Sequence, residues 1–183
     1  MNRGGKMVLV SHCLLNINAK IDGIAYYPAG ATELIHGLME KGYGIIQLPC
    51  LEMEMCGPRR WGQVEEQLNN PFFKKYCTTR LESYILQIKA YMEQGYTIAG
   101  VIGINGSPTC GINETCSGQW GGEIGEPFSI KEKLDTLKTK KGLGVMMSML
   151  KTMLEREAIY IPFFGVNEHD PTMDVAELLK LFK

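Results

Sequence analysis

The sequence has almost no excess of charge of either sign. Its 19 Lys and Arg against 20 Asp and Glu leave a net charge of −1, so no overall basic field draws it to nucleic acid or to an anionic membrane surface. Long apolar runs are missing too. The opening Met1-Asn2-Arg3-Gly4-Gly5-Lys6 leads into only about six apolar residues, too few for a signal-peptide core or a membrane span. This points to a cytoplasmic protein. No internal repeat, linker or low-complexity segment interrupts the chain, and 183 residues, 45% of them hydrophobic, suffice for one domain, 1–183, with its own core. Six cysteines in a cytoplasmic chain read as reduced, metal-binding or catalytic thiols rather than as a disulfide framework.

What is present is alternation. Met7 to Val10, Tyr43 to Leu48, Tyr96 to Ile104 and Ala158 to Phe164 read as buried strands. Between them lie helical patterns. One starts near Ala31 and stops at Gly42, with Leu34, Ile35, Leu38 and Met39 on its apolar face and His36 packed beside it. A second runs from Asn70-Pro71 to Gln94, with Leu81, Tyr84, Ile85, Ile88, Tyr91 and Met92 inward and Cys77 in the core. A third spans Gly142 to Arg156, where Val145, Met146, Met149, Leu150, Met153 and Leu154 make a core stripe. The last is capped by Asp170-Pro171 and turns Val175, Leu178, Leu179 and Phe182 inward. Leu14 to Tyr27 and Met53 to Asn70 read as loops. Gly111 to Lys141 reads as a long polar loop or lid with a short helix over Lys131 to Thr139. The expected fold is α/β, a Rossmann- or flavodoxin-like parallel sheet of about four strands with helices on both faces.

The strand ends carry the chemistry. Cys13 and Cys50 follow the first two strands and Cys110 follows the third across Gly103-Ile-Asn-Gly-Ser-Pro-Thr-Cys-Gly111, whose glycines and Pro108 make a rigid turn. In a parallel sheet these ends share one edge, where α/β proteins bind ligands. The three thiols are therefore expected to meet. Positions 13, 50 and 110 match no zinc-ribbon or ferredoxin spacing, and three thiolates suit either a zinc ion or an iron–sulfur cubane with one iron open. Either is a Lewis acid, and an open iron prefers sulfur donors. Glu52 and Ser107 flank the cysteines as a proton carrier and a hydrogen-bond donor toward a bound substrate. In Asn16-Ile17-Asn18-Ala19-Lys20-Ile21-Asp22-Gly23 the amide and charged side chains suit a turn or a ligand contact, and the third strand delivers Asn105 at its end. The run Arg59-Arg60-Trp61-Gly62 suits an anion and a planar ring, with Trp120 across from it, and equally a surface turn with one half-buried tryptophan.

At Ser11-His12-Cys13-Leu14-Leu15, Cys50-Leu51-Glu52 and Ser107-Pro108-Thr109-Cys110-Gly111 the sequence resembles the thiouracil desulfidase family. That family has proline where this chain has Leu51. The resemblance implies a 4Fe-4S cluster on Cys13, Cys50 and Cys110, whose open iron binds the substrate sulfur. It also implies Glu52 as acid/base with Ser107 as its partner, and hydrolytic, non-redox loss of hydrosulfide. The segments Arg59 to Gly62 and Trp120 to Gly122 look like those of a divergent branch. The expected substrate is accordingly a thiolated, nucleobase-like small molecule enclosed by Asn16, Arg60, Trp61, Asn105 and Trp120. A rival reading keeps the same three cysteines on a cluster or zinc in a sensor or binding protein without turnover. A third, a nucleotide-binding module with a phosphate in the Gly-rich loop, lacks Gly-x-Gly-x-x-Gly after the first strand.

Overall fold

The computed structural model describes residues 3–123, 125, 129–168 and 171–183. In chain order the elements are β1 (Lys6–Val10), α1 (His12–Leu15), α2 (Thr32–Glu40), β2 (Tyr43–Gln47), α3 (Leu51–Cys56), α4 (Glu65–Leu68), α5 (Pro71–Glu93), β3 (Thr97–Ile104), β4 (Glu114–Ser117), α6 (Ile130–Leu134), β5 (Lys138–Lys141), α7 (Val145–Arg156), β6 (Phe163–Val166) and α8 (Pro171–Leu181). A 3-10 turn covers Ile17–Ala19. Strands β2, β1, β3 and β6 form, in that order, one sheet in which every pairing is parallel.

Side-chain alternation divides the core in two. Met7 and Leu9 of β1 face one side and pack with Leu81, Ile85 and Ile88 of α5 and with Met146, Met147 and Leu150 of α7. Val8 and Val10 face the other side and pack with Leu34 and Leu38 of α2 and with Val175, Leu178 and Phe182 from the α8 end. This is the period-two pattern of a sheet covered on both faces. A register shift between β1 and β3 lets Ile98 and Val101, three residues apart, join the same cluster. Val10 aligns with Gln47 of β2 and Ile102 of β3, and Ile104 with Val166 of β6. The four carboxyl ends thus share one edge, with the reversal of strand order falling between β1 and β3.

Several expectations shift. The last strand lies at Phe163–Val166 instead of Ala158 to Phe164, because Ala158 takes a positive φ of 57° and closes the end of α7 with Ile159 N–H on Leu154 O. Pro162 then lacks an N–H for the ladder. The two expected loops contain α1, the 3-10 turn, α3 and α4. The expected lid contains an antiparallel hairpin of β4 and β5, and the helix expected over Lys131 to Thr139 is shorter, its last residues belonging to β5. His36 is exposed beside Glu40, 3.6 Å away, and Met39 and Met92 are exposed as well. Helical spacing alone widened those apolar faces by one position. The expected Asp170 cap lies outside the described residues. No described helix is long and apolar enough to cross a membrane.

Candidate functional site at the carboxyl edge of the sheet

A cavity of about 370 Å³ opens at this edge, lined by Cys13, Cys50 and Cys110 together with Glu52, Arg60, Ser107 and Thr109. Its size suits a small molecule. Each thiol arrives by a different route. Ser11 N–H bonds Ile102 O at 2.9 Å and extends the ladder by one residue, after which α1 turns Cys13 inward. Leu48 N–H does the same on Val10 O at 2.8 Å, and Cys50 then caps α3.

Cys110 sits on a turn clamped from behind. The first residues of α7 donate to it: Val145 N–H to Pro108 O at 2.9 Å, Met147 N–H to Thr109 O at 3.2 Å, and before them Gly144 N–H to Gly111 O at 2.9 Å. Glycine is required at that contact, since a Cβ at Gly144 would stand 2.6 Å from the Thr109 carbonyl.

The three sulfurs are close enough to set one another's protonation. Cys13 donates a hydrogen bond to Cys50; that bond, with burial, keeps Cys13 protonated well above the ordinary thiol range. The same bond, the Met53 backbone N–H and the Arg60 charge together outweigh burial at Cys50 and lower it to about 7. Burial raises Cys110 to about 12, partly offset by the Thr109 hydroxyl, 3.7 Å from its sulfur. Ser11 Oγ is buried with no hydrogen-bond partner of its own. Among the described residues no group of three Cys, His, Asp or Glu side chains is placed to hold a metal ion. The donor set itself, three buried soft sulfurs on one cavity, fits an iron–sulfur group once the Cys13–Cys50 hydrogen bond opens and the thiols ionise.

Glu52 is buried, with only 7% of its surface exposed. Arg60 Nε bonds its Oε1 at 2.7 Å, and the Arg60 guanidinium reaches on to Gly57 O at 3.2 Å and Ala19 O at 2.8 Å. Thr109 Oγ1 donates to Glu52 Oε2 at 3.3 Å and lies 3.2 Å from Ser107 Oγ. Ser107 Oγ in turn accepts from Cys110 N–H at 3.0 Å. A hydroxyl chain therefore leads from Ser107 through Thr109 to the Glu52 carboxylate.

The other expected contacts divide. Asn105 lines the cavity, where its amide joins Asn167 Oδ1 at 2.8 Å and Asn113 N–H at 3.0 Å. Asn16 does not line it; its Oδ1 caps the 3-10 turn by accepting from Asn18. Trp61 is 72% exposed and outside the lining. Trp120 is outside it too, its indole N–H fixed on Gly62 O at 2.8 Å, which straps the β4 segment to the loop after α3. Arg59 is exposed. Cys77 is core, Cys56 is exposed, and Cys116 lines the cavity.

Among the other lining residues, Thr109, Lys20 and Glu168 carry no individual role in the sequence reading. Thr109 stands inside the Ser107 to Gly111 motif, and its hydroxyl was the available signal. Lys20 and Glu168 form a buried ion pair at the cavity wall. Glu168 lies two residues past the end of β6, so the strand-end rule finds it once that strand is bounded correctly.

No family model matches the chain, and no solved structure matches it. It is 33% identical over 110 residues to Uncharacterized protein MJ0003 of Methanocaldococcus jannaschii, a stretch that covers 60% of this chain and 70% of that protein.

Proposed function

We propose that this chain, which belongs to the same family as protein MJ0003 of Methanocaldococcus jannaschii, is a desulfidase that removes sulfur hydrolytically from a thiolated, nucleobase-like small molecule. The observation that carries this reading is the meeting of Cys13, Cys50 and Cys110, from three separate strand ends, on one cavity that also holds a buried carboxylate. The likeness of Cys50 to Glu52 and Ser107 to Gly111 to the thiouracil desulfidase motifs supports it further.

In this reading Cys13, Cys50 and Cys110 hold a 4Fe-4S cluster. Such a group, bound by three thiolates, supplies a soft Lewis acid with affinity for substrate sulfur. The remaining work belongs to the chain. Glu52 takes a proton from the water that adds to the thiocarbonyl carbon. Ser107 and Thr109 form the hydroxyl path along which a proton returns toward the departing sulfur. Arg60 holds Glu52 in a fixed orientation through its bonds to Glu52, Gly57 and Ala19. The overall change turns thiocarbonyl and water into carbonyl and hydrogen sulfide. No electrons pass between partners, so no redox co-reactant is needed.

A second reading has its own support: both Glu52 oxygens are engaged, one by Arg60 and one by Thr109, which suits a structural carboxylate in a cluster-binding sensor. An anaerobic assay for sulfide release from thiolated bases separates the two. The desulfidase reading expects turnover in the parent chain and a loss of about 10²–10⁴-fold in Glu52→Gln. A loaded chain that turns over no thiolated base favours the sensor.

A further inference from the structure

Both cations that line the cavity already face a buried carboxylate. Arg60 pairs with Glu52, with 4% and 9% of their side chains exposed, and Lys20 pairs with Glu168, with 8% and 3% exposed. Arg60 has its remaining nitrogens on the carbonyls of Gly57 and Ala19. Lys20 is held further by Ile24 O at 3.3 Å and lies over the Tyr26 ring, 4.8 Å from its centroid. The described wall therefore offers an anionic ligand no unmatched positive charge.

It offers an acceptor instead. Lys20 occupies Glu168 Oε2, while Oε1 is buried without a hydrogen-bond partner on a residue that lines the cavity. A buried polar atom left unpaired is unfavourable, and a carboxylate oxygen can only accept. The matching ligand group is a hydrogen-bond donor, which on a neutral nitrogen heterocycle is a ring N–H.

We propose that Glu168 is a specificity-determining residue that accepts a ring N–H from the ligand, so that the cavity selects neutral thiolated heterocycles bearing such an N–H. N-alkylated analogues are rejected, because they leave Oε1 unpaired. The thiolated class rests on the desulfidase reading above; the acceptor role of Glu168 does not.

The substitution Glu168→Gln makes the proposal sharp. The Lys20 ammonium draws the amide oxygen of the new side chain toward itself, which turns the amide NH₂ to the position of Oε1. An acceptor becomes a donor at unchanged size. The test measures binding of thiouracil and of its N,N′-dimethyl derivative to the purified chain by calorimetry, with thermal melting to confirm that Glu168→Gln is folded. The parent chain is expected to favour thiouracil by about tenfold or more, and Glu168→Gln to lose or reverse that preference. The ratio of the two affinities within each protein removes any general loss of stability from the comparison. Equal binding of both probes by the parent chain, no binding of either, or an unchanged ratio in Glu168→Gln overturns the proposal. Because binding is measured on the purified chain before cluster loading and sulfide release after it, an N–H preference in a chain that releases no sulfide once loaded sinks only the desulfidase reading. Sulfide release without that preference sinks only this one.

Discussion

Thr109 Oγ1 donates to Glu52 Oε2 at 3.3 Å, and this one bond joins the helix that begins after Cys50 to the turn that carries Cys110. Replacing Thr109 with valine keeps the shape and removes the hydroxyl, which leaves a buried carboxylate oxygen unpaired and costs about 1–3 kcal/mol. Urea unfolding of Thr109→Val is expected to register that loss and Thr109→Ser to recover most of it. Valine as stable as threonine removes the bond from the account.

Arg60 and Glu52 form a buried pair, so breaking it should cost far more than breaking a surface one. Arg60→Met strands the carboxylate and is expected to destabilise by about 3–5 kcal/mol, and adding Glu52→Gln is expected to restore part of it. Lys151→Ala breaks an i,i+4 pair whose side chains are 53% and 48% exposed and should change stability by about 0.5 kcal/mol at most. If the two single losses are alike, the Glu52 pocket is wetter than described.

Gly144 tests how the Cys110 turn is held. A Cβ there meets Thr109 backbone at 2.6 Å and Gly111 N at 2.8 Å, so Gly144→Ala must push the turn away from the start of α7. Overpacking of this kind costs about 1–3 kcal/mol. The expected outcome is a stable but loosened chain with lower iron loading, whereas unchanged loading means that the turn need not be clamped.

The edge on which the thiols meet was legible from the sequence because apolar runs marked β1, β2 and β3, and a parallel sheet turns strand order into spatial convergence. The wall opposite was not. Ala158, in a left-handed conformation that alanine seldom takes, moved β6 by several residues and so concealed Glu168 as a strand-end residue. Lys20 lay in a polar loop where composition could not distinguish a turn from a buried ion pair. Trp61 and Trp120 looked alike as aromatic residues beside glycines, yet one is exposed and the other is a strap on Gly62 O; only tertiary contacts separate them.

Glu66 gives the β4 segment a pH dependence. It accepts from Ser117 Oγ and from Gly118 N–H at 3.1 Å, and the Ser117 bond holds its carboxyl below the ordinary range. A depressed carboxylate stabilises the fold above its unfolded value of about 4.3, and that contribution fades as pH falls through the lower folded value. The stability difference between the parent chain and Glu66→Gln should accordingly be constant near neutrality and shrink toward zero under acid. A difference that persists unchanged in acid means that the bond does not depend on the charge of Glu66.

The most direct test of the cysteine assignment is iron and acid-labile sulfide analysis after anaerobic reconstitution, made on the parent chain and on each single-cysteine variant. About four irons and four sulfides per chain are expected for the parent, with loss in Cys13→Ala, Cys50→Ala and Cys110→Ala. Loading should survive in Cys56→Ser, Cys77→Ala and, although it lines the cavity, Cys116→Ser. A parent chain that takes up no iron and sulfide, or one that keeps them without Cys13, Cys50 or Cys110, contradicts the account.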